Sequence, residues 1–138
     1  MADPEDWLAQ FNAINNLRIM SKYHHGTALM ANLDAFTPFL KASVDNLRSN
    51  ISKNSLMFCN EFFSNTESLQ NEKHQEQLIK FLKVALPSIF LRTVYDKVFI
   101  AKEAKNAVAN CLKNCVIPEV LEIVVQDGCY NKINNKRL

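Results

Sequence analysis

The stretch from Asn46 to Phe63 constrains the fold more than any other part of the chain, because it joins two helical patterns through a very short turn. A polar segment turns at Arg48, and apolar or small side chains then recur at the spacing of one buried helix face. Those side chains are Ile51, Ser55, Phe58, Cys59 and Phe62. Ser49 or Asn50 is the expected N-cap, because either side chain can accept from the first free N–H groups. The stretch predicts two helices that meet at a short basic turn.

The composition favours an all-α fold. Two glycines and four prolines are too few for an all-β protein with many tight turns, and no stretch alternates with period two. Apolar residues make up 48% and charged residues 22%, a balance typical of a globular domain. The 138 residues therefore predict a single domain over 1–138, long enough to bury a core.

Apolar periodicity predicts two helices before the Arg48 turn. The first begins with Asp3 as N-cap and Pro4 in the first turn, and it ends near Gly26. Its apolar stripe comprises Trp7, Phe11, Ile14, Leu17 and Met20. The second helix covers residues 27–47, and Pro38 is expected to kink it or to shorten its first half. Its apolar stripe comprises Leu29, Leu33, Phe36, Leu40, Val44 and Leu47.

Four more helical segments are expected after the Arg48 turn. The helix at about 50–64 is followed by the most polar stretch, 65–73, which predicts a longer loop. The fourth helix contains Pro87, and a turn near 95–97 precedes the fifth. The stripes of the last three helices are Leu78, Phe81, Leu82, Ala85 and Ile89; Ile100, Ala104, Ala107, Val108, Cys111 and Cys115; and Val120, Leu121, Val124 and Val125. Residues 130–138 are interpreted as a loop or frayed tail.

The helical segments repeat along the chain. Trp7, Ile51 and Ile100 occupy similar places in their helices and are separated by 44 and 49 residues. Those spacings lie near the period of HEAT and armadillo arrays, about 40–47 residues. We therefore expect an α-solenoid of about three HEAT-like helical hairpins, in which stacked pairs share one core. A compact six-helix bundle is the alternative, because periodicity alone is compatible with both.

Three motifs in order resemble a TOG domain, the HEAT-repeat tubulin-binding module, and most of all those of the crescerin and CLASP groups. Asp6-Trp7, with the apolar stripe up to Arg18, is similar to the first TOG repeat, where a tryptophan lies on the tubulin-facing edge. Residues 46–53 resemble the LRS-x-(V/I)-S-(R/K) turn of the second repeat, and residues 97–104 resemble the F-I-(R/K)-x-E-A start of the third. Residues 131–137 are similar to the fourth edge loop. The resemblance covers nearly the whole chain and about half of a TOG domain.

In a solenoid, the turns within hairpins lie along one edge and the turns between hairpins along the other. The predicted binding edge is basic and consists of Trp7, Arg48, Lys53, Lys97, Lys102, Lys132, Lys136 and Arg137. The opposite edge would carry His24, His25, Glu67, Glu72 and Glu119. The resemblance implies that the basic edge binds tubulin or the microtubule lattice, an acidic partner.

The sequence offers no sign of catalysis, and we expect a protein that is not an enzyme. It contains no nucleophile elbow, P-loop, H-E-x-x-H pair or kinase signature, and two glycines leave little room for phosphate-binding loops. No metal or cofactor is expected either. His24-His25 is interpreted as a helix end, and Cys111 and Cys115 as small apolar side chains on one helix face.

The other expectations concern partners and location. A HEAT-repeat scaffold that binds other protein modules without binding tubulin is the alternative function, and the ends of the array suggest homo-oligomers. Nucleic acid ranks below protein as a partner, because the basic positions lack interleaved aromatic residues. No apolar run reaches the length of a membrane span. The expected location is the cytoplasm and cytoskeleton, with the cilium or axoneme implied by the resemblance.

Overall fold

The computed structural model describes residues 6–23, 27–64, 74–115 and 118–126. These residues form helices and the turns between them, and none of them belongs to a β-strand. The all-α prediction is confirmed. The helices are α1 Trp7–Tyr23, α2 Thr27–Ala31, α3 Leu33–Val44, α4 Ser49–Phe63, α5 Gln75–Thr93, α6 Val98–Asn114 and α7 Pro118–Ile123. None of the described helices is long and apolar enough to cross a bilayer.

The helices pack in two rows. In one row α1 contacts α4 and α4 contacts α6, while in the other α3 contacts α5 and α5 contacts α7. The rows are joined by α3 against α4 and by α5 against α6, so each of these pairs is a helical hairpin. This order of contacts is the one expected for stacked hairpins, as the predicted solenoid requires.

Hydrogen bonds between neighbouring hairpins give the repeat its register. In the first row, Arg18 pairs with Glu61, 43 residues further on. Between α4 and α6, the next pair of helices in that row, Asn114 Nδ2 donates to the Phe63 carbonyl, 51 residues earlier in the chain. These offsets are close to the 44 and 49 residues that separate Trp7, Ile51 and Ile100 in the sequence. The sequence period therefore measures the distance along the chain between side chains that meet in space.

Buried apolar side chains form one cluster that extends from α1 to α7. The predicted stripe of α4 is confirmed, since all five of its members are buried. Phe58 and Phe62 stack with their ring centroids 5.7 Å apart, and Phe62 meets Phe81 of α5 edge-on at 5.7 Å. The buried thiols Cys59 and Cys111 belong to the same cluster. Aromatic packing between α4 and α5 thus joins the two rows.

The predicted second helix is divided into α2 and α3. The break is at Asn32, six residues before Pro38, and α3 continues through Pro38. The helical segment before Pro38 is thus shortened, which is one of the two effects predicted for the proline, but the break lies at Asn32 and not at Pro38 itself. Pro38 lacks the N–H that would donate within α3, and the helix continues past it. The helix also ends at Val44, so Leu47 lies in the turn, 86% exposed, and not on the predicted apolar stripe.

Two helix ends differ from the prediction. The N-cap of α4 is Arg48, an extended residue without a side-chain cap, although Asn50 Oδ1 accepts from the Ile51 N–H at 2.9 Å. At the last helix, α7 ends at Ile123 and buries that residue with Val120. Leu121 and Val125 are exposed, which contradicts their assignment to the buried stripe. Such a short helix covers α5 along one narrow side, and its other apolar residues remain in solvent.

Candidate protein-binding edge

The two turns within hairpins have the same conformation and lie at the same end of the helices. Arg48 precedes α4 with φ −72° and ψ 118°, and Lys97 precedes α6 with φ −81° and ψ 111°. Each extended residue aims the chain into a helix that runs beside its neighbour in the same row. Both side chains are exposed. The turns therefore present one cation from each hairpin on a shared edge.

Trp7 lies at this edge and also contacts the core. Its indole is half-buried, and it meets Phe11 edge-on with ring centroids 6.5 Å apart. The guanidinium carbon of Arg48 lies 5.5 Å from the centroid of the Trp7 ring. At that distance a cation is attracted to the ring face. The predicted pairing of an indole and a cation on one edge is thus present between the first and second repeats.

Lys97 and Lys53 extend the edge to the third repeat. Lys97 Nζ donates a hydrogen bond to Ser49 Oγ, which belongs to the residue next to Arg48. Lys53 Nζ lies 5.6 Å from the centroid of the Phe99 ring. The structure therefore brings Trp7, Arg48, Lys53 and Lys97 together, and we call these four residues the basic edge. Lys102 is exposed one turn further along α6, where it lines a groove.

Sequence reasoning missed the apolar part of this surface. Leu47 is 86% exposed, Val98 is 79% exposed and Phe99 is 45% exposed, and all three lie beside the cations of the edge. One signal was present in the sequence: 49 residues after Leu47 stands Asp96, a residue type unsuited to a core position. Exposed apolar side chains at turn tips, surrounded by cations, are typical of a surface that binds another protein.

A buried arginine holds the turns in place, and the sequence analysis did not identify it. Arg92 of α5 donates through Nε to the Val44 carbonyl at 3.0 Å and through Nη2 to the Asn46 carbonyl at 3.4 Å. Its guanidinium carbon also lies 4.5 Å from the centroid of the Tyr95 ring. One side chain thus binds the turn of one hairpin and packs on the turn of the next. Arg92 fixes the relative position of Arg48 and Lys97 without itself belonging to the edge.

Arg18, part of the motif at the first repeat, lies away from the edge between α1 and α4. Its guanidinium pairs with Glu61 at 2.7 Å, and Nη1 donates to Asn54 Oδ1 at 2.8 Å. Asn54 in turn donates to Asn15 Oδ1 at 3.0 Å. The hydrogen bond with Glu61 is the main cause that raises the pKa of Arg18. This network fixes the register of α1 on α4, so its role is structural.

Several predicted positions lie outside the residues that the structure describes. They are Lys132, Lys136 and Arg137 of the binding edge predicted from the sequence, and His24, His25, Glu67 and Glu72 of the predicted opposite edge. Asp3, Pro4 and Gly26, the loop 65–73 and the tail 130–138 also lie outside. Glu119 is described, and it is exposed at the start of α7, beyond the C-terminal end of α6. That position is at the opposite end of the helices from Lys97.

The described side chains offer no metal site. Within those residues no group of three or more His, Cys, Asp or Glu side chains converges on one point. Three cysteines are free thiols in the core. Burial raises the pKa of Cys59 to about 12. A hydrogen bond to Cys115, together with burial, raises the pKa of Cys111. Burial therefore makes the Cys59 thiol a poor nucleophile and a poor metal ligand.

Comparison of the chain with protein-family models, with curated proteins and with solved structures finds no match. The functional interpretation therefore depends on the residues of the edge and on the motifs they belong to.

Proposed function

We propose that this chain is a TOG-like module that binds tubulin or the microtubule lattice through its basic edge. The observation that carries the proposal is the continuity of that edge. Arg48 lies over Trp7, and Lys97 donates a hydrogen bond to the residue beside Arg48, so three repeats contribute side chains to one continuous edge. The motifs at 46–53 and 97–104 supply these positions and resemble the edge loops of TOG domains. An acidic protein surface is the complementary partner.

The energetics favour weak binding by the isolated chain. Three exposed ion pairs made by the cations of the edge contribute about 0.5 kcal/mol each, and salt screens them. A micromolar complex needs about 8 kcal/mol. Burial of an exposed aliphatic side chain contributes about 1.5–3 kcal/mol, and Leu47 and Val98 are available for this. Affinity would therefore rise when several modules engage one lattice, because linked sites act at high effective concentration.

The proposed setting follows from the proposed partner. A module of this kind acts in the cytoplasm on the cytoskeleton. The resemblance of the motifs to the crescerin and CLASP groups supports the cilium or axoneme as the setting that we propose. Weak contacts repeated along a microtubule suit such a module, because the combined binding then depends on the spacing of the sites on the lattice as well as on the residues at each site.

Binding to microtubules and to free tubulin tests the proposal. Co-sedimentation and fluorescence anisotropy at low salt should detect binding, and the double variant Arg48→Glu with Lys97→Glu should weaken it at least about tenfold. The matched control is Lys80→Glu with Lys83→Glu, which reverses two exposed charges on α5. Absence of binding in both assays, or equal loss in both double variants, would refute the proposal.

The alternative is a protein-interaction scaffold that does not bind tubulin. The exposed Leu47 favours it, because an apolar side chain at a turn tip suits many protein surfaces. This alternative predicts that tubulin shows no interaction and that another protein binds the edge. The double variant Arg48→Glu with Lys97→Glu should abolish the binding of that protein. The two functions share one surface and differ in its partner.

A further inference from the structure

A groove of about 630 Å³ runs along the side of α6 that faces away from α4. Its apolar wall is formed by Val94, Tyr95, Val98 and Ala101, at the end of α5 and the first turns of α6. Lys102 and Lys105 line it further along α6. No acidic residue lines this groove within the part of the chain that the structure describes; Asp96 and Glu103, each next to a lining residue along the chain, are not among the lining residues.

Equivalent positions in the two repeats show that this side of α6 differs in chemistry from the side of α4 that packs against the next helix. A shift of 49 residues relates Lys105 to Leu56 and Ala101 to Ser52. Leu56 and Ser52 are fully buried in the stack, whereas Lys105 is exposed. A hairpin of the same kind stacked on α6 would bury the Lys105 ammonium without a partner, which is unfavourable. The groove is therefore poorly suited to another repeat of this type.

A second copy of the chain is also a poor match. The first helix of a second copy would be the element to stack on α6, and α1 contains no Asp or Glu that could pair with the two lysines. Single-stranded nucleic acid would need several aromatic rings for base stacking, and the wall offers only Tyr95. That ring is already covered on one side by Arg92, whose guanidinium carbon lies 4.5 Å from its centroid.

We propose that this groove binds an acidic amphipathic helix of a partner protein. Apolar side chains of the helix would pack on Val98 and Ala101, and carboxylates beside them would pair with Lys102 and Lys105. The match combines an apolar wall with two cations on one side, the usual features of a helix-binding groove. This groove adjoins the basic edge and shares Val98 with the apolar part of that surface, whereas Lys105 belongs to the groove alone and can be tested separately.

Titration of the full chain with a synthetic helix tests the proposal. The probe is a peptide of about 18 residues with Leu on one face and Glu on both flanks, and binding is followed through the backbone amide signals of the ¹⁵N-labelled chain. We expect the largest shifts at Val98, Ala101 and Lys105. The variant Lys102→Glu with Lys105→Glu should weaken binding at least about tenfold, which corresponds to about 1.4 kcal/mol. Lys113→Glu, an exposed charge on the same helix, is the control and should change affinity less than about twofold.

Four results would overturn the proposal. They are equal binding of a matched peptide with Lys in place of Glu, shifts confined to other helices, displacement of the probe by a single-stranded oligonucleotide, and a dimer in light scattering that Lys105→Glu dissociates. Failure here is distinguishable from failure of the proposed function. Arg48→Glu alone, at a residue that does not line the groove, should weaken tubulin binding and leave the peptide titration unchanged, and Lys105→Glu should leave tubulin binding unchanged.

Discussion

The Arg48 guanidinium carbon lies 5.5 Å from the centroid of the Trp7 ring, although 41 residues separate the two along the chain. The contact joins the start of α1 to the turn before α4. It keeps the indole at the edge of the molecule, where the ring is half-buried, and it orients the cation along the same edge. The same pair of side chains therefore contributes an indole and a cation to the edge and packs the first repeat against the second.

Removal of the Arg48 side chain should change the environment of Trp7 with little loss of stability. Trp7 is the only tryptophan, so intrinsic fluorescence reports on this site alone. In Arg48→Ala we expect a shift of the emission maximum and faster quenching by acrylamide, because one ring face loses its cover. The loss in the free energy of unfolding should be about 0.5–1 kcal/mol, the range of an exposed cation–π contact. Lys41→Ala is the control, and an unchanged spectrum in Arg48→Ala would contradict the contact.

Replacement of Arg92 should destabilise the protein strongly. The side chain is buried and donates to the Val44 and Asn46 carbonyls of the neighbouring hairpin. Arg92→Met keeps most of the stem but removes charged donors from buried acceptors, and we expect a loss of about 2–3 kcal/mol in urea unfolding. Lys83→Met on the exposed side of the same helix should change stability by less than about 0.5 kcal/mol. Equal effects of the two changes would show that Arg92 does not hold the hairpins together.

Arg18 and Glu61 should be energetically coupled. Their side chains are 24% and 22% exposed and pair at 2.7 Å, with a second donor from the guanidinium at 3.0 Å. A double-mutant cycle with Arg18→Ala and Glu61→Ala should give a coupling energy of about 1 kcal/mol, more than a typical exposed pair. The cycle of Lys41 with Asp45, an exposed pair within one hairpin, is the comparison and should give about 0.3–0.5 kcal/mol. A zero coupling for Arg18 and Glu61 would contradict the register of α1 on α4.

Stability should fall at alkaline pH partly because of Cys59. Its folded pKa of about 12 lies above the ordinary value near 9, so the folded state keeps a proton that the unfolded state releases. The resulting stabilisation is fully present below pH 9 and is lost as the pH rises towards 12. Urea unfolding at successive pH values between 8 and about 11 should show this decline.

Cys59→Ala provides the control for that decline. The variant begins with a lower free energy of unfolding, because it leaves a small cavity among the core side chains. Its stability should nevertheless fall less steeply above pH 9, while ionisation of lysines and tyrosines acts on both proteins alike. Parallel curves for the two proteins would mean that the Cys59 thiol ionises in the folded state as it does in the unfolded chain.

Helical periodicity was enough to predict most of the elements. The stripe from Ile51 to Phe62 is buried as predicted, because its side chains lie on one side of a 3.6-residue period whatever they pack against. The break at Asn32 was missed, since proline is the stronger local signal and attracted the prediction to Pro38. Leu47 was misplaced for a related reason: hydrophobicity suggested burial, and the turn geometry left it in solvent.

The edge could be predicted only in part. Trp7, Arg48 and Lys97 were identified from motifs, and the structure brings them together. The partners of these residues could not be found in the same way. Nothing local distinguishes Arg92 from an exposed arginine, because its acceptors are backbone carbonyls 46 and 48 residues away.

Local rules acting on the sequence determined the helices, the spacing of 44 and 49 residues between equivalent positions, and the sign of charge at the turns. Tertiary structure alone decided which turns are adjacent, that Leu47 and Val98 are exposed beside the cations, and that Lys105 lines a groove where Leu56 is buried. The physical reason is range. Backbone propensity and amphipathic period act within a few turns, whereas exposure depends on which helix stacks next.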